Sequence, residues 1–212
     1  DMELHRQKIE VEKSKQQTER ISLQMMQTLA TTIEAKDEYT RGHSYRVAEY
    51  AALIAKELGW SQDEITNLKH AAHLHDIGKI GIPREIINKP SRLTDEEYEI
   101  IKTHPAIGGN ILKEISEIPD IAIGARWHHE RYDGKGYPDG LSGTEIPEIA
   151  RIIGVADSYD AMTSKRSYRD ILPQDVVRKE IEKASGKQLD PKYADIMILI
   201  IDSDKDYRLH EQ

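Results

Sequence analysis

Cysteine is absent from the 212 residues, and with it go disulfides, zinc-thiolate sites and thiol nucleophiles, so any metal here must be held by nitrogen and oxygen. No apolar run approaches the roughly 18 residues that span a bilayer, and no secretory signal stands at the N-terminus. A cytoplasmic location is the expectation. An initiator Met and a domain-like start are missing too, so the chain reads as a fragment of something longer, with a sensor or receiver domain expected upstream. Positive charge is in deficit: the net charge is −8, which argues against a sequence-independent grip on long nucleic acid. A small phosphorylated ligand stays compatible, because a metal and a few basic residues neutralise it locally. With 38% hydrophobic and 32% charged residues the chain fits neither the disordered nor the membrane class. Its length favours one domain with an appendage.

Glycine and proline are missing from residues 1–36, which are dense in Glu, Lys, Arg and Gln and read as one long helix. Leu4, Val11, Thr18 and Met25 recur at seven, with Ile21 at the companion position and polar residues at several others. Two readings stand: a parallel coiled coil that makes a homodimer and carries an upstream signal, or a solvated helix with one core stripe. The expected division is this signalling helix over 1–36 and a main domain over 37–212.

From Tyr45 helix follows helix. Val47, Ala51, Ile54, Ala55 and Leu58 form an apolar face closed by Gly59. Ser61 with Glu64, and Thr94 with Glu97, are capping boxes that open further helices. Pro119, Pro147, Pro173 and Pro191 open four more, the first reaching His128, the second about Met162 and the third ending near Gly186. No alternating strand with a hairpin turn appears, so the expected fold is all-α with short loops.

Without sulfur, attention turns to the nine histidines. His43, His75, His104, His128 and His129 fall at helix ends or interiors beside other polar groups. Asp76 follows His75 directly, and Asp157 lies in an otherwise apolar helix where an unpartnered charge is costly. Neighbours on a helix point about 100° apart, so a His-Asp pair can face one side of a metal cluster, and a carboxylate can bridge two ions. Imidazole and carboxylate together suit Fe, Mn, Zn, Co or Ni without choosing among them. His5, His70, His73 and His210 read as hydrogen-bonded structural residues, and His73 turns about 200° away from His75.

These residues spell a family. HDIGK at 75–79, HHERYDGKGYP at 128–138 and VADSYDAMTSKRSYR at 155–169 resemble the HD-GYP domains, a branch of the HD phosphohydrolase superfamily. EYTRGHSYRV around His43 and KTHPAIGG around His104 look like the family's remaining ligand segments, and the likeness covers about residues 31–202. It implies an all-helical HD-type bundle, here as the catalytic domain over 37–212. It also implies two or three metal ions, often iron or manganese, and hydrolysis of cyclic di-GMP to pGpG or on to GMP. Carried over, His43, His75, Asp76 and Asp157 would hold one metal. His104, His128 and His129 would hold the second, with Asp76 bridging. Some members gain a third ion through a glutamate four residues before the first histidine; that position is Tyr39 here, which favours two ions unless Asp37 or Glu38 supplies the carboxylate.

Two ions about 3.5–4 Å apart can turn a shared water into hydroxide and bind phosphate oxygens. Lys79, beyond Asp76, either adds positive charge at the phosphate or is a solvated lysine. Tyr137 either faces the substrate or only packs the loop, while Asp133 either fixes that loop or orients a ligand histidine; Glu130 shares the second of these roles. Arginine's fork suits guanine, and the resemblance assigns Lys165, Arg166 and Arg169 to the nucleotide. Ser167 stands where the family has proline, which loosens the placement of Arg169. The competing functions are a dinucleotide sensor or docking module without catalysis, and a phosphodiesterase for cyclic GMP-AMP.

Overall fold

Helix α1 (Met2–Glu34) runs unbroken for 33 residues, as its lack of Gly and Pro implies. The computed structural model describes residues 2–37, 41–165 and 170–210. Met26, Ala30 and Ile33, spaced four and three apart, turn inward, Met26 and Ile33 against Leu74, Ile77, Leu112, Ile121 and Ala125. The seven-residue stripe does not take part: Leu4, Val11 and Met25 are 56%, 68% and 63% exposed. Register is the reason. Met26 stands one residue, about 100°, from Met25, so the helix packs by a face other than its heptad face.

The main core forms where α2 (His43–Glu57), α3 (Gln62–Leu74) and α8 (Glu148–Thr163) meet, with α9 (Gln174–Ala184) and α10 (Pro191–Ser203) behind them. Val47, Ala51, Ile54 and Ala55 are wholly buried, as are Ile152, Ile153, Val155, Ala156 and Tyr159 of α8. Gly59 stops the α2 chain at φ 75. Ser61 and Glu64 complete the capping box of α3. After a 3-10 turn at Ile77–Gly81 come the short α4 (Arg84–Ile87), then α5 (Asp95–Ile101), opened by the Thr94–Glu97 box, α6 (His104–Leu112) and α7 (Pro119–Trp127). Pro119 and Pro191 take the first helical position, whereas Pro147 and Pro173 sit one residue earlier, in extended conformation. No β-strand is present among the described residues, and the fold is all-α.

Two details tie this frame to the polar centre. Lys36 donates to the carbonyls of Lys79, Ile80 and Ile82 at 3.2, 2.7 and 2.5 Å, while Glu34 accepts the Gly42 and Ser44 N–H groups at 2.8 and 2.7 Å. The end of α1 therefore satisfies backbone groups on both segments that flank it. At Gly78 a Cβ would overlap the His104 carbonyl oxygen and lie 2.6 Å from Gly108 N. Only glycine lets the turn after His75 lie directly on α6.

The four histidines read as hydrogen-bonded structural residues do not behave alike. His5 is exposed on α1, and His210 donates to the Tyr207 carbonyl. His70 and His73 are buried, yet both nitrogens of His70 and Nε2 of His73 have no hydrogen-bond partner among the described residues. Their burial comes from tertiary packing of α3, which the local pattern cannot reveal. His73 belongs to neither group of potential metal donors among the described residues, and its ring lies 6.2 Å from that of Tyr45.

Candidate metal centre

Helix ends deliver most of the site. His43 begins α2, His75 caps α3 and is followed by Asp76, His104 begins α6, and His128 caps α7 with His129 next. Asp157 alone comes from a helix interior, in α8. Two groups result, Asp76–His104–His128–His129 and His43–His75–Asp157, with one potential donor atom from each residue within 4.8 Å of the others in its group. Asp76 stands between them. Its Oδ1 lies 3.2 Å from His104 Nε2 and 3.9 Å from His128 Nε2, and its Oδ2 lies 3.6 Å from His75 Nε2 and 3.7 Å from His43 Nε2.

The chemistry of these donors fits divalent ions. His104 Nδ1 is 2.8 Å from the Ile101 carbonyl, His128 Nδ1 is 3.0 Å from that of Gly124, and His75 Nδ1 is 2.6 Å from that of Ala72. A carbonyl only accepts, so each Nδ1 carries the proton and each Nε2 presents a lone pair. The Nε2 atoms of His104 and His128 then face each other at 3.4 Å, an arrangement that repels unless a cation lies between. Burial, reinforced by neighbouring histidines, holds His128 and His129 well below the usual imidazole range, and burial lowers His75. At His43 burial works downward but the carboxylates of Asp160, Asp157 and Asp76 outweigh it, so its pKa rises. That half of the site draws positive charge. A dinuclear metal site is compatible with the whole arrangement.

Asp160 and Arg46 were not found from sequence. Asp160, wholly buried, takes His43 Nδ1–H at 2.7 Å and Arg46 Nε–H at 2.6 Å. The signal available was spacing: Asp160 lies three residues after Asp157 and Arg46 three after His43, each pair on one helix face. Lys79 contacts Asp76 Oδ2 at 2.7 Å and Asp37 Oδ2 at 3.4 Å. It is therefore no solvated lysine. Burial pushes Asp76 up, but Lys79, His75 and His104 outweigh it and hold the carboxyl well below its usual value. Asp37 faces Lys79 and belongs to neither donor group; Tyr39 and Glu38 lie outside the described residues.

A cavity of about 510 Å³ opens beside the centre, with His128, His129, Asp157, Tyr98, Tyr137 and Arg151 in its wall. The segment after His129 is bound in place by its own side chains. Glu130 accepts the Asp139 and Gly140 N–H groups at 2.7 and 3.0 Å, and Asp139 in turn accepts from Arg126 and Trp127. Tyr137 reaches the cavity. Asp133 does not: it is gripped by Arg131 at 2.7 and 3.0 Å and accepts the Lys135 N–H at 3.2 Å, so it fixes the loop. Lys165 is exposed beyond α8, and neither it nor Asp133 is among the described residues lining the cavity. Arg166, Ser167 and Arg169 lie outside the described residues.

Helices that aim a sulfur-free His/Asp cluster inward place the chain in a class of helical domain described as the HD domain, whose family profile matches residues 24–193. The chain belongs to the HD domain family. It is 43% identical over 178 residues to a cyclic di-GMP phosphodiesterase of Thermotoga maritima, covering 82% of this chain and 48% of that protein. It is 41% identical over 173 residues to the cyclic di-GMP phosphodiesterase response regulator RpfG of Xanthomonas campestris, covering 80% and 46%. The chain thus spans about half the length of the curated relatives it matches. In fold it is similar to the crystal structure of a cyclic GMP-AMP specific phosphodiesterase of V. cholerae, with a TM-score of 0.66, 20% identity and coverage of 86% and 49%. No helix among the described residues is long and apolar enough to cross a membrane.

Proposed function

We propose that the chain is the catalytic part of a cyclic di-GMP phosphodiesterase that opens the ring to linear pGpG, and on to GMP where the second bond is also cut. The observation that carries this reading is Asp76, a single buried carboxylate shared by two histidine groups beside a cavity. His43, His75, Asp76 and Asp157 would hold one ion, and His104, His128 and His129 the other with Asp76. Nitrogen and oxygen donors suit iron or manganese, with zinc, cobalt or nickel as substitutes. Two such ions, when bound, supply the Lewis acidity that activates water and balances phosphate charge.

The protein's own groups do the rest. Asp160 and the three backbone carbonyls keep four imidazoles in the tautomer that presents Nε2 to the centre. Lys79 holds Asp76 ionised and brings a fixed positive charge to the side where a phosphate would lie. Tyr137 lines the space for the dinucleotide, and Lys165, Arg166 and Arg169 are assigned to its guanine bases. The reading extends to a cytoplasmic enzyme, to an upstream sensor or receiver domain and to a homodimer through α1, whose exposed Leu4, Val11, Ile21 and Met25 supply an apolar stripe.

The test is to load the chain anaerobically with iron or manganese and incubate it with cyclic di-GMP. Linear product is expected, lost in His75→Ala and Asp76→Ala. Fully loaded protein that binds the dinucleotide without turnover would overturn the reading in favour of a sensor. Faster turnover of cyclic GMP-AMP would reassign the substrate.

A further inference from the structure

Four of the five site histidines are tethered through Nδ1: His43 to Asp160, His75 to Ala72 O, His104 to Ile101 O and His128 to Gly124 O and Ala125 O. His129 has no hydrogen-bond partner at either ring nitrogen among the described residues. Rings surround it instead. Its centroid is 4.2 Å from that of His128 at an interplanar angle of 45°, 5.0 Å from that of His104 at 88°, and 4.9 Å from that of Tyr137 at 27°. Of these contacts, Tyr137 alone is a near-parallel stack. An imidazole that must aim one nitrogen within about 10–20° cannot be left to turn freely.

Tyr137 is itself well placed to act as a fixed wall. Its N–H donates to the His129 carbonyl at 3.3 Å, so the loop returns to the residue that it stacks upon. Gly136 makes that return feasible, because a Cβ there would lie 2.5 Å from Glu130 Cα and 2.6 Å from His129 O. Glu130 then ties down the residues just beyond Pro138 through the Asp139 and Gly140 N–H groups. The Lys102 ammonium lies 5.6 Å from the Tyr137 ring centroid.

We propose that Tyr137 is the positioning residue of His129: its ring fixes the rotation of the imidazole so that the donor nitrogen faces Asp76 and His104, replacing the hydrogen-bond tether of the other four. The inference rests on reading His129 as a metal ligand. An electron-rich face also suits an imidazole polarised by a bound cation. The phenol oxygen plays no part in this role, so the ring and the hydroxyl are separable by substitution.

The experiment is a calorimetric titration of the metal-stripped chain with Mn²⁺, without substrate, on wild type, His129→Ala, Tyr137→Phe and Tyr137→Leu. Wild type is expected to show two sites, and His129→Ala to weaken one of them. Tyr137→Leu is expected to weaken that same site about 10- to 100-fold, the range for lost support of a ligand, and to leave the other unchanged; Tyr137→Phe should match wild type. Unchanged affinities in Tyr137→Leu, equal weakening of both sites, or a Tyr137→Phe as weak as Tyr137→Leu would each overturn the proposal. Wild-type behaviour in His129→Ala would instead remove its premise, and the proposal with it. If Tyr137→Leu fails to give a native circular dichroism spectrum, Tyr137→Met, which fills the volume without a flat face, serves the same comparison.

Discussion

Asp160 accepts the Nδ1–H of His43 at 2.7 Å while also taking the guanidinium of Arg46 at 2.6 and 3.2 Å. Burial works to raise its pKa, but the bonds from His43 and Arg46 outweigh this and hold it at about 2. The carboxylate is therefore ionised at neutral pH and fixes which nitrogen His43 offers to the centre. Asp160→Asn keeps the shape and removes the charge. It is expected to lower metal affinity at the His43 group by about 10- to 100-fold, as for other supports of a ligand histidine. Titration that finds wild-type affinity at both sites would show that the charge is not needed.

Lys79 can be separated from the metal ligands by its kinetics. Its ammonium is compensated by Asp76 and Asp37, and these carboxylates outweigh burial and keep it charged beside the shared carboxylate. Lys79→Met is expected to lower kcat about 100-fold or more, the magnitude of losing one preorganised charge-stabilising group, with two ions still bound. A parallel loss of metal in elemental analysis would place its role in holding Asp76 instead.

His73 sets an acid limit on stability. Burial lowers its pKa from 6.5 to about 4, so the unfolded chain takes up this proton before the folded one does. The stabilisation is complete above pH 6.5 and is lost as pH falls toward about 4, reaching roughly 3 kcal/mol over the whole window. His73→Leu removes the titrating group and fills the site with apolar volume. Urea denaturation of metal-stripped protein should therefore show the variant gaining on wild type as pH drops from 6.5; a constant difference between the two would refute the assignment.

How much of this was written in the sequence depends on the reach of each interaction. Six of the seven clustered His and Asp residues were legible because they sit at helix ends marked by Pro119, by the caps and by adjacent His-Asp and His-His pairs, which a structural role explains poorly, and Asp157, inside α8, stood out as a carboxylate in an apolar stretch. Asp160, in the same helix as Asp157, was not, since its spacing of three from that residue gains meaning only with Arg46 and His43 seen around it. Tyr137 was picked out by its loop, but its stack on His129 depends on a chain reversal that no spacing rule encodes. In α1 the seven-residue repeat was real as a pattern, yet the packed stripe is Met26, Ala30 and Ile33, selected by the surface of α3 and α7. Burial of His70 and His73 is tertiary in the same sense.

Gly78 gives the most direct check that the two halves of the centre are rigidly joined. A Cβ at this position would overlap the His104 carbonyl oxygen and lie 2.8 Å from the His104 carbonyl carbon. Those atoms are helical backbone and cannot swing aside as a side chain would. Gly78→Ala must therefore push the turn carrying Asp76 away from α6, at an overpacking cost of about 1–3 kcal/mol. The displacement falls on the contact between Asp76 Oδ1 and His104 Nε2, now 3.2 Å. Weaker metal binding at the His104 group and a lower Tm are expected together, the first by Mn²⁺ titration and the second by calorimetry. A variant that loses stability but keeps both ions at full affinity would mean that the backbone adjusts on the side away from Asp76, and that the groups are less tightly coupled than their shared carboxylate implies.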